Sequence, residues 1–455
     1  MSKEEAEMLD KTDCISVHSV QEEKEPQPDE GIAWLMAIIC ALSMFSTWGS
    51  NASYGVFLNY YITHDTFVNA TMYDYALIGG IVIGFAQGLA PFSAVLYNIL
   101  GIRSMIIMGV SLQTVGYILS SFSTKLWQLY MTQGVLIGIS FNLVFIPSTL
   151  VIPTWFVKKR ATAFGILVSG VGLGGVVFSL SLSKIIEISN FRWGLRFMAL
   201  VTLITAAPSL YLRPRTKLPP IKDNLNWKFV SEKITYTLNP IIFRSIPLIL
   251  LTIWFCLAVM GYVVMLYSLS SYATSIGLDT HHATYITVVL NVGQFVGRPT
   301  MGHLCDKYGR SNIAIIICFF NCIIILAWWT NTFSYGNLIA FAFVIGCTLG
   351  IGSAACNAIA SDLIEPYREN LQPVWTYLNI FCGMSCIPAE VIGLSLKTKG
   401  KMPFLYCQIY LGVSFFVCGV MMMVIRSILV RKKLTIKGEV VPSSFFKNMF
   451  YKMKT

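Results

Sequence analysis

Charge is what this chain has least of. Only 12% of its 455 residues are Asp, Glu, Lys or Arg, against about 25% in ordinary soluble proteins. That deficit, with 55% hydrophobic residues and a mean hydropathy of +0.66, excludes a soluble globular fold and predicts an all-α polytopic membrane protein. No GxxxxGK[ST] stretch is present, which argues against ATP-driven work. The apolar runs hold no nucleophile–base pairing and no metal-ligand spacing, so neither an enzyme nor a cofactor is expected. The twelve cysteines fall mostly inside apolar runs, as Cys318, Cys322, Cys382 and Cys386 do. They read as small packing residues rather than a disulfide framework. No cleavable signal peptide is expected at the start. The net charge of +11 sits mainly in short connections and the C-terminal end, and suits an anionic cytoplasmic leaflet better than nucleic acid.

A helix needs about 20 apolar residues to cross a bilayer. On that measure twelve spans are predicted, six near 32–60, 75–99, 103–123, 127–152, 161–185 and 193–212. The other six fall near 245–272, 283–305, 311–330, 336–361, 374–396 and 404–430. The implied organisation is an acidic, disordered N-tail (1–30), an N-terminal half (31–212), a polar linker (213–244), a C-terminal half (245–430) and a basic C-tail (431–455). The prolines Pro214, Pro219 and Pro220 suit a linker, with room for a short interfacial helix. Placing both termini in the cytoplasm puts the linker, Arg103, Lys158–Arg160, Lys307, Arg310 and Arg368 on that side, as the positive-inside rule favours. Lys397, Lys399 and Lys401 on the other side weaken the bias. Asn69-Ala-Thr71 is a sequon in a predicted outer loop. Phe446, Met449, Phe450 and Met453 have helical spacing, readable as an in-plane anchor or as part of a disordered end.

The halves share an echo. Pro299, Asp306, Gly309 and Arg310 match Pro91, Asn98, Gly101 and, one place late, Arg103. Gly302-x-x-x-Asp306-x-x-Gly309-Arg310 marks the intact copy. Asp306 ends one span and faces Arg310 at the start of the next. It can bias an inner gate by meeting a neighbouring helix N-terminus, or stand as a static surface pair.

One residue before the prolines the copies part, Ala90 against Arg298. An intramembrane arginine is costly and usually faces a cavity or partner. Asp306 lies two turns away, about 12 Å along the axis, and Glu390 is about as far in axial offset. Gln294, one turn earlier, can accept a hydrogen bond but not neutralise the charge. A substrate anion can supply the missing partner; backbone carbonyls and water are the alternative. Pro299 allows a kink beside the charge. Glu390, after Pro388 in a buried run, can carry a proton or rest as a neutral acid. Tyr54, Asn59, Asn142, Asn291, Trp375 and Asn379 are cavity candidates, each also explicable as a packing contact.

Trp155 to Gly170 reads WFVKKRATAFGILVSG. Lys158, Lys159 and Arg160 cannot enter hydrocarbon, so they mark a membrane face. Beyond them Gly165, Gly170, Gly172, Gly174 and Gly175 are spaced for close approach of another backbone. With Trp155, Phe156, Arg298-Pro299 and a shortened acid–glycine–tryptophan element at Glu30-Gly31-Ile32-Ala33-Trp34, the string resembles the monocarboxylate-porter branch of the major facilitator superfamily, its fungal members above all. The likeness covers roughly 30–430. It implies two six-helix halves, a secondary transporter working by alternating access, and a small anionic substrate such as a monocarboxylate, moved by facilitation or proton symport. It implies a location in the plasma membrane, vacuole or endomembranes of a eukaryote. The family's carboxylate-binding arginine falls on Arg298. Proton-coupled animal members have an aspartate where this chain has Gln294, and a first-helix lysine in the region that here reads Asn51-Ala52-Ser53. Facilitated diffusion, or coupling through Glu390, fits these departures. A proton-linked drug exporter and a non-transporting nutrient sensor are the rival readings. The first lacks its expected fourth-helix arginine, since 127–152 has no basic residue.

Overall fold

Backbone N–H and C=O groups in hydrocarbon must be satisfied within their own segment, so the apolar runs can cross only as helices. The computed structural model describes residues 27–437 except 65, 68, 216–226, 240–242, 244, 366–370 and 399–401. Residues 1–26 of the N-tail, much of the linker, Arg368, Lys399, Lys401 and the candidate tail helix 443–455 lie outside the described residues. Helix α1 spans Ile32–Thr63. Helix α2 begins with Met72–Gly88 and, after a break at Leu89, runs on to 100; α3 is 102–121. Then follow α4 Leu126–Trp155, α5 Arg160–Ile188 and α6 Phe191–Tyr211. The linker contributes α7, Trp227–Thr237, which lies against the stretch 90–121 that spans the end of α2 and α3. The second half comprises α8 Ile246–Ser275, α9 Thr280–Tyr308, α10 Arg310–Asn331, α11 Tyr335–Ile364, α12 Leu371–Ser395 and α13 Leu405–Lys437. Ten of the described helical stretches are long and apolar enough to cross a membrane by themselves. The other two passes are α2, broken at Leu89, and α9, which carries Arg298. Twelve passes in two halves of six agree with the sequence reading. The apolar exterior, including Leu35, Ile107, Ile316 and Val413, is exposed as lipid contact requires.

The internal echo has a structural counterpart. Gly101 (φ 74°) and Gly309 (φ 106°) sit at the tight turns after α2 and α9, in the left-handed region that favours glycine. Equivalent turns therefore use the same residue for the same backbone reason.

The halves meet along two seams, α5 with α9 and α2 with α12. At the first, Gly165 lies against the backbone of Arg298 and Pro299, and Gly172 against Asn291 and Phe295. Gly170 and Gly174 face the other way, onto Ala41, Phe45 and Gly49 of α1. The spacing thus serves two backbone approaches at once. At the second seam Gly80 and Gly84 receive Ile387.

Candidate functional site

Charges and caps close the seam on the face carrying Lys158–Arg160. The Asp306 carboxylate, at the end of α9, accepts from the N–H groups of Ala161 (3.3 Å) and Thr162 (2.7 Å) and from the Thr162 hydroxyl (2.8 Å). It thereby caps α5 in the opposite half, where a negative charge complements the helix N-terminus. Arg310 holds the same carboxylate at 3.1 Å and reaches Asp362 at 2.6 Å. Arg160 donates to the Ser361 hydroxyl. Just before α5, Asp29 accepts from the N–H groups of Val157, Lys158 and Lys159. Gly302 lies against the backbone of Ala161 and Thr162. Pro299, Gly302, Asp306, Gly309 and Arg310 thus fall on one stretch of seam.

Above this closure lies a cavity between the halves. Its walls are mainly apolar and aromatic, including Phe145, Phe164, Phe255, Tyr262 and Trp375. Arg298 enters it, with 3% of its surface exposed. The guanidinium donates through one terminal nitrogen to the Val168 carbonyl of α5 and through the other to Gln294 Oε1, both at 2.6 Å. It lies 5.3 Å from the centre of the Tyr262 ring. Its Nε–H has no hydrogen-bond partner, and no carboxylate pairs with it among the described residues. Gly350 makes the room, since a Cβ there would sit 2.7 Å from Nε.

The other candidates are distributed. Gln294 orients Arg298 and donates to Asn291 Oδ1 at 3.1 Å. Asn291 itself abuts Gly175. Trp375 lines the cavity and donates to the Thr149 hydroxyl at 3.1 Å. Tyr54, Asn142 and Asn379 do not line it. Tyr54 donates to the Tyr75 carbonyl at 2.6 Å. Asn142 donates to the Ala86 carbonyl at 2.7 Å and accepts from Ser93. Asn379 donates to the Trp375 carbonyl at 2.7 Å, one turn back on its own helix. Each meets a protein partner that an unaligned sequence does not reveal. Trp48 and Gln87, which sequence reasoning passed over, do line the cavity. A tryptophan or glutamine inside an apolar run has no periodic signal to separate cavity from packing.

A vestibule of about 1810 Å³ lies on the opposite side, reaching Asn59, His64, Glu187 and Lys397. Along α1 the central cavity ends at Trp48 and the vestibule begins at Ala52; along α8 the corresponding residues are Tyr262 and Leu266. The layer between holds Asn51, whose side-chain N–H donates to the Tyr267 hydroxyl at 3.3 Å across the halves. Glu390 lies at this level, fully inside the protein, next to Gly79 and Tyr54. Neither of its oxygens has a hydrogen-bond partner among the described residues.

Two six-helix halves around a central cavity, tied together on one face, have the architecture of a membrane transporter. The chain belongs to the Major Facilitator Superfamily, whose profile matches residues 36–387. It is a secondary transporter rather than an enzyme. It is 36% identical over 415 residues to the uncharacterized transporter ESBP6 of Saccharomyces cerevisiae, covering 90% of this chain and 61% of that protein. With the probable transporter MCH2 of the same yeast it shares 31% identity over 408 residues, 89% of this chain and 84% of MCH2. The aspyridones efflux protein apdF of Emericella nidulans is 29% identical over 412 residues, covering 88% and 79% of the two chains.

Proposed function

We propose that this chain moves a small organic anion, a monocarboxylate or a related metabolite, with Arg298 binding the carboxylate. One observation carries the reading: a buried guanidinium lines the central cavity with an N–H unpaired and no carboxylate paired with it among the described residues. A fork of parallel donors suits a planar anion. Asp306 and Arg310, bridging to α5, bias the gate on the basic face, which the positive-inside rule makes cytoplasmic. In that orientation the vestibule faces outward, in a plasma membrane or an endomembrane.

Glu390 is the group through which protons couple to the cycle. Its unpartnered carboxyl, at the layer dividing cavity from vestibule, supports that role. Gln294 fills the place an acid would need in order to couple directly to Arg298.

Uptake of several monocarboxylates and one bulky metabolite into proteoliposomes, with and without a proton gradient, tests the reading. Saturable uptake of an anion is expected in the native protein. Arg298→Gln abolishes anion binding while the protein still inserts; retained affinity would remove the assignment. Binding with no flux across the panel would favour a sensor. Export rather than import, the direction in the name of the aspyridones efflux protein, is read from the same vesicles by loading the anion inside.

A further inference from the structure

Among the described residues, three polar atoms on the central cavity wall lack hydrogen-bond partners: Trp48 Nε1, Gln87 Oε1 and Arg298 Nε. Thr149, Ser353 and Trp375 on the same wall are bonded. The Thr149 hydroxyl donates to the Ile146 carbonyl at 2.8 Å and accepts from Trp375, and Ser353 donates to the Gly350 carbonyl at 3.0 Å. Buried polar atoms are normally paired, and those left over point to a ligand. Arg298 belongs to the C-terminal half; Trp48 on α1 and Gln87 on α2 belong to the N-terminal half. The orphans therefore stand on opposite sides of the seam.

The local backbone distinguishes these two residues. Trp48 sits in a wide π turn, Phe45–Gly49, inside α1, an irregularity that often accompanies functional sites. Gln87 is the penultimate residue before the break in α2. Ala90, the repeat counterpart of Arg298, follows three places later. The first half thus has a neutral pair where the second has a cation. An indole N–H donates and an amide oxygen accepts, and a hydroxyl can answer both at once. Much of the remaining wall is aromatic: Phe145, Phe164, Phe255 and Trp375.

We infer that Trp48 and Gln87 form a second polar subsite, which recognises a hydroxyl at the far end of an aromatic monocarboxylate held by Arg298. The substrate class is a hydroxylated aromatic acid. Its two ends engage different halves, so binding ties the halves together across the cavity. This rests on the assignment of the anion to Arg298.

Calorimetric binding to the purified full-length protein tests it, with 2-naphthoate, 6-hydroxy-2-naphthoate, 2-naphthol and lactate as probes. The native protein is expected to bind the hydroxylated acid about ten- to a hundredfold more tightly than 2-naphthoate, the difference that one buried hydrogen-bonding group makes. Gln87→Leu and Trp48→Phe are each expected to erase that preference, so that the two acids bind with equal affinity in the variant. Trp48→Phe keeps an aromatic wall and supplies an independent arm should Gln87→Leu fold poorly. Equal affinity for the two acids, with both lost in Arg298→Gln, overturns the subsite and leaves the anion reading standing; water filling the polar corner would give that result. Lactate binding without either naphthoate overturns the aromatic class. Undiminished binding of the acids to Arg298→Gln overturns the anion reading and this inference with it.

Discussion

Asp306 and Thr162 join the two halves of the molecule. The carboxylate on α9 accepts both the N–H and the hydroxyl of a residue in the first turn of α5, at 2.7 and 2.8 Å. Charge-assisted bonds of this kind contribute about 1.5–3 kcal/mol. Because they cross between the halves, they bear on how far the basic face stays shut.

Asp306→Ala is expected to shift the closed–open balance toward opening by on the order of ten- to a hundredfold. The readout is modification of Ala161→Cys by a thiol reagent applied from the basic face, in a background without reactive cysteines. An unchanged labelling rate would leave Asp306 with a local role in holding Arg310.

Gly172→Ala tests the seam by volume. A Cβ there would stand 2.5 Å from the Phe295 nitrogen and 2.6 Å from the Asn291 oxygen, both backbone atoms. Overpacking of this sort costs about 1–3 kcal/mol. Transport should fall at least tenfold while expression persists, since the seam alone need part. Native flux would mean that the two helices separate freely in the working cycle.

Gly350→Ala probes the room left for Arg298. The added methyl would meet Nε at 2.7 Å and Cγ at 2.9 Å, both side-chain atoms. The guanidinium is expected to move and the protein to keep its fold, with anion affinity down roughly tenfold and melting temperature nearly unchanged. A large loss of stability with intact affinity would contradict that placement.

Glu390→Gln imitates the neutral acid in shape. Anion binding should survive, and the dependence of uptake on a proton gradient should disappear. If the gradient drives the variant as well as the native protein, Glu390 is a packing residue and the coupling group lies elsewhere.

Much of the fold was legible in the sequence because lipid imposes a crude, strong rule: runs of apolar residues long enough to cross, broken by cations. The repeat was legible too, since Gly101 and Gly309 perform the same left-handed turn. Arg298 stood out as a charge at depth. The finer wall of the cavity did not. Tyr54, Asn142 and Asn379 carry the polar chemistry expected of ligands, yet their bonds go to neighbouring carbonyls. Trp48 and Gln87 look like ordinary members of apolar helices, and only the positions of their neighbours show that they line the cavity with a polar atom left unpaired. Counting 3.6 residues per turn along α1 also fails beyond Phe45, where the helix widens.

That widening has a further effect. One residue beyond the normal complement rotates everything downstream by about 100°, so Asn51 meets Tyr267 across the seam only because five residues upstream are coiled more loosely. Shortening Phe45–Gly49 by a single position would leave every later letter intact and aim each at a different neighbour, the inward ones swinging toward lipid. In this part of the molecule the phase of the helix, as much as its spelling, decides what the passage between the two chambers is made of.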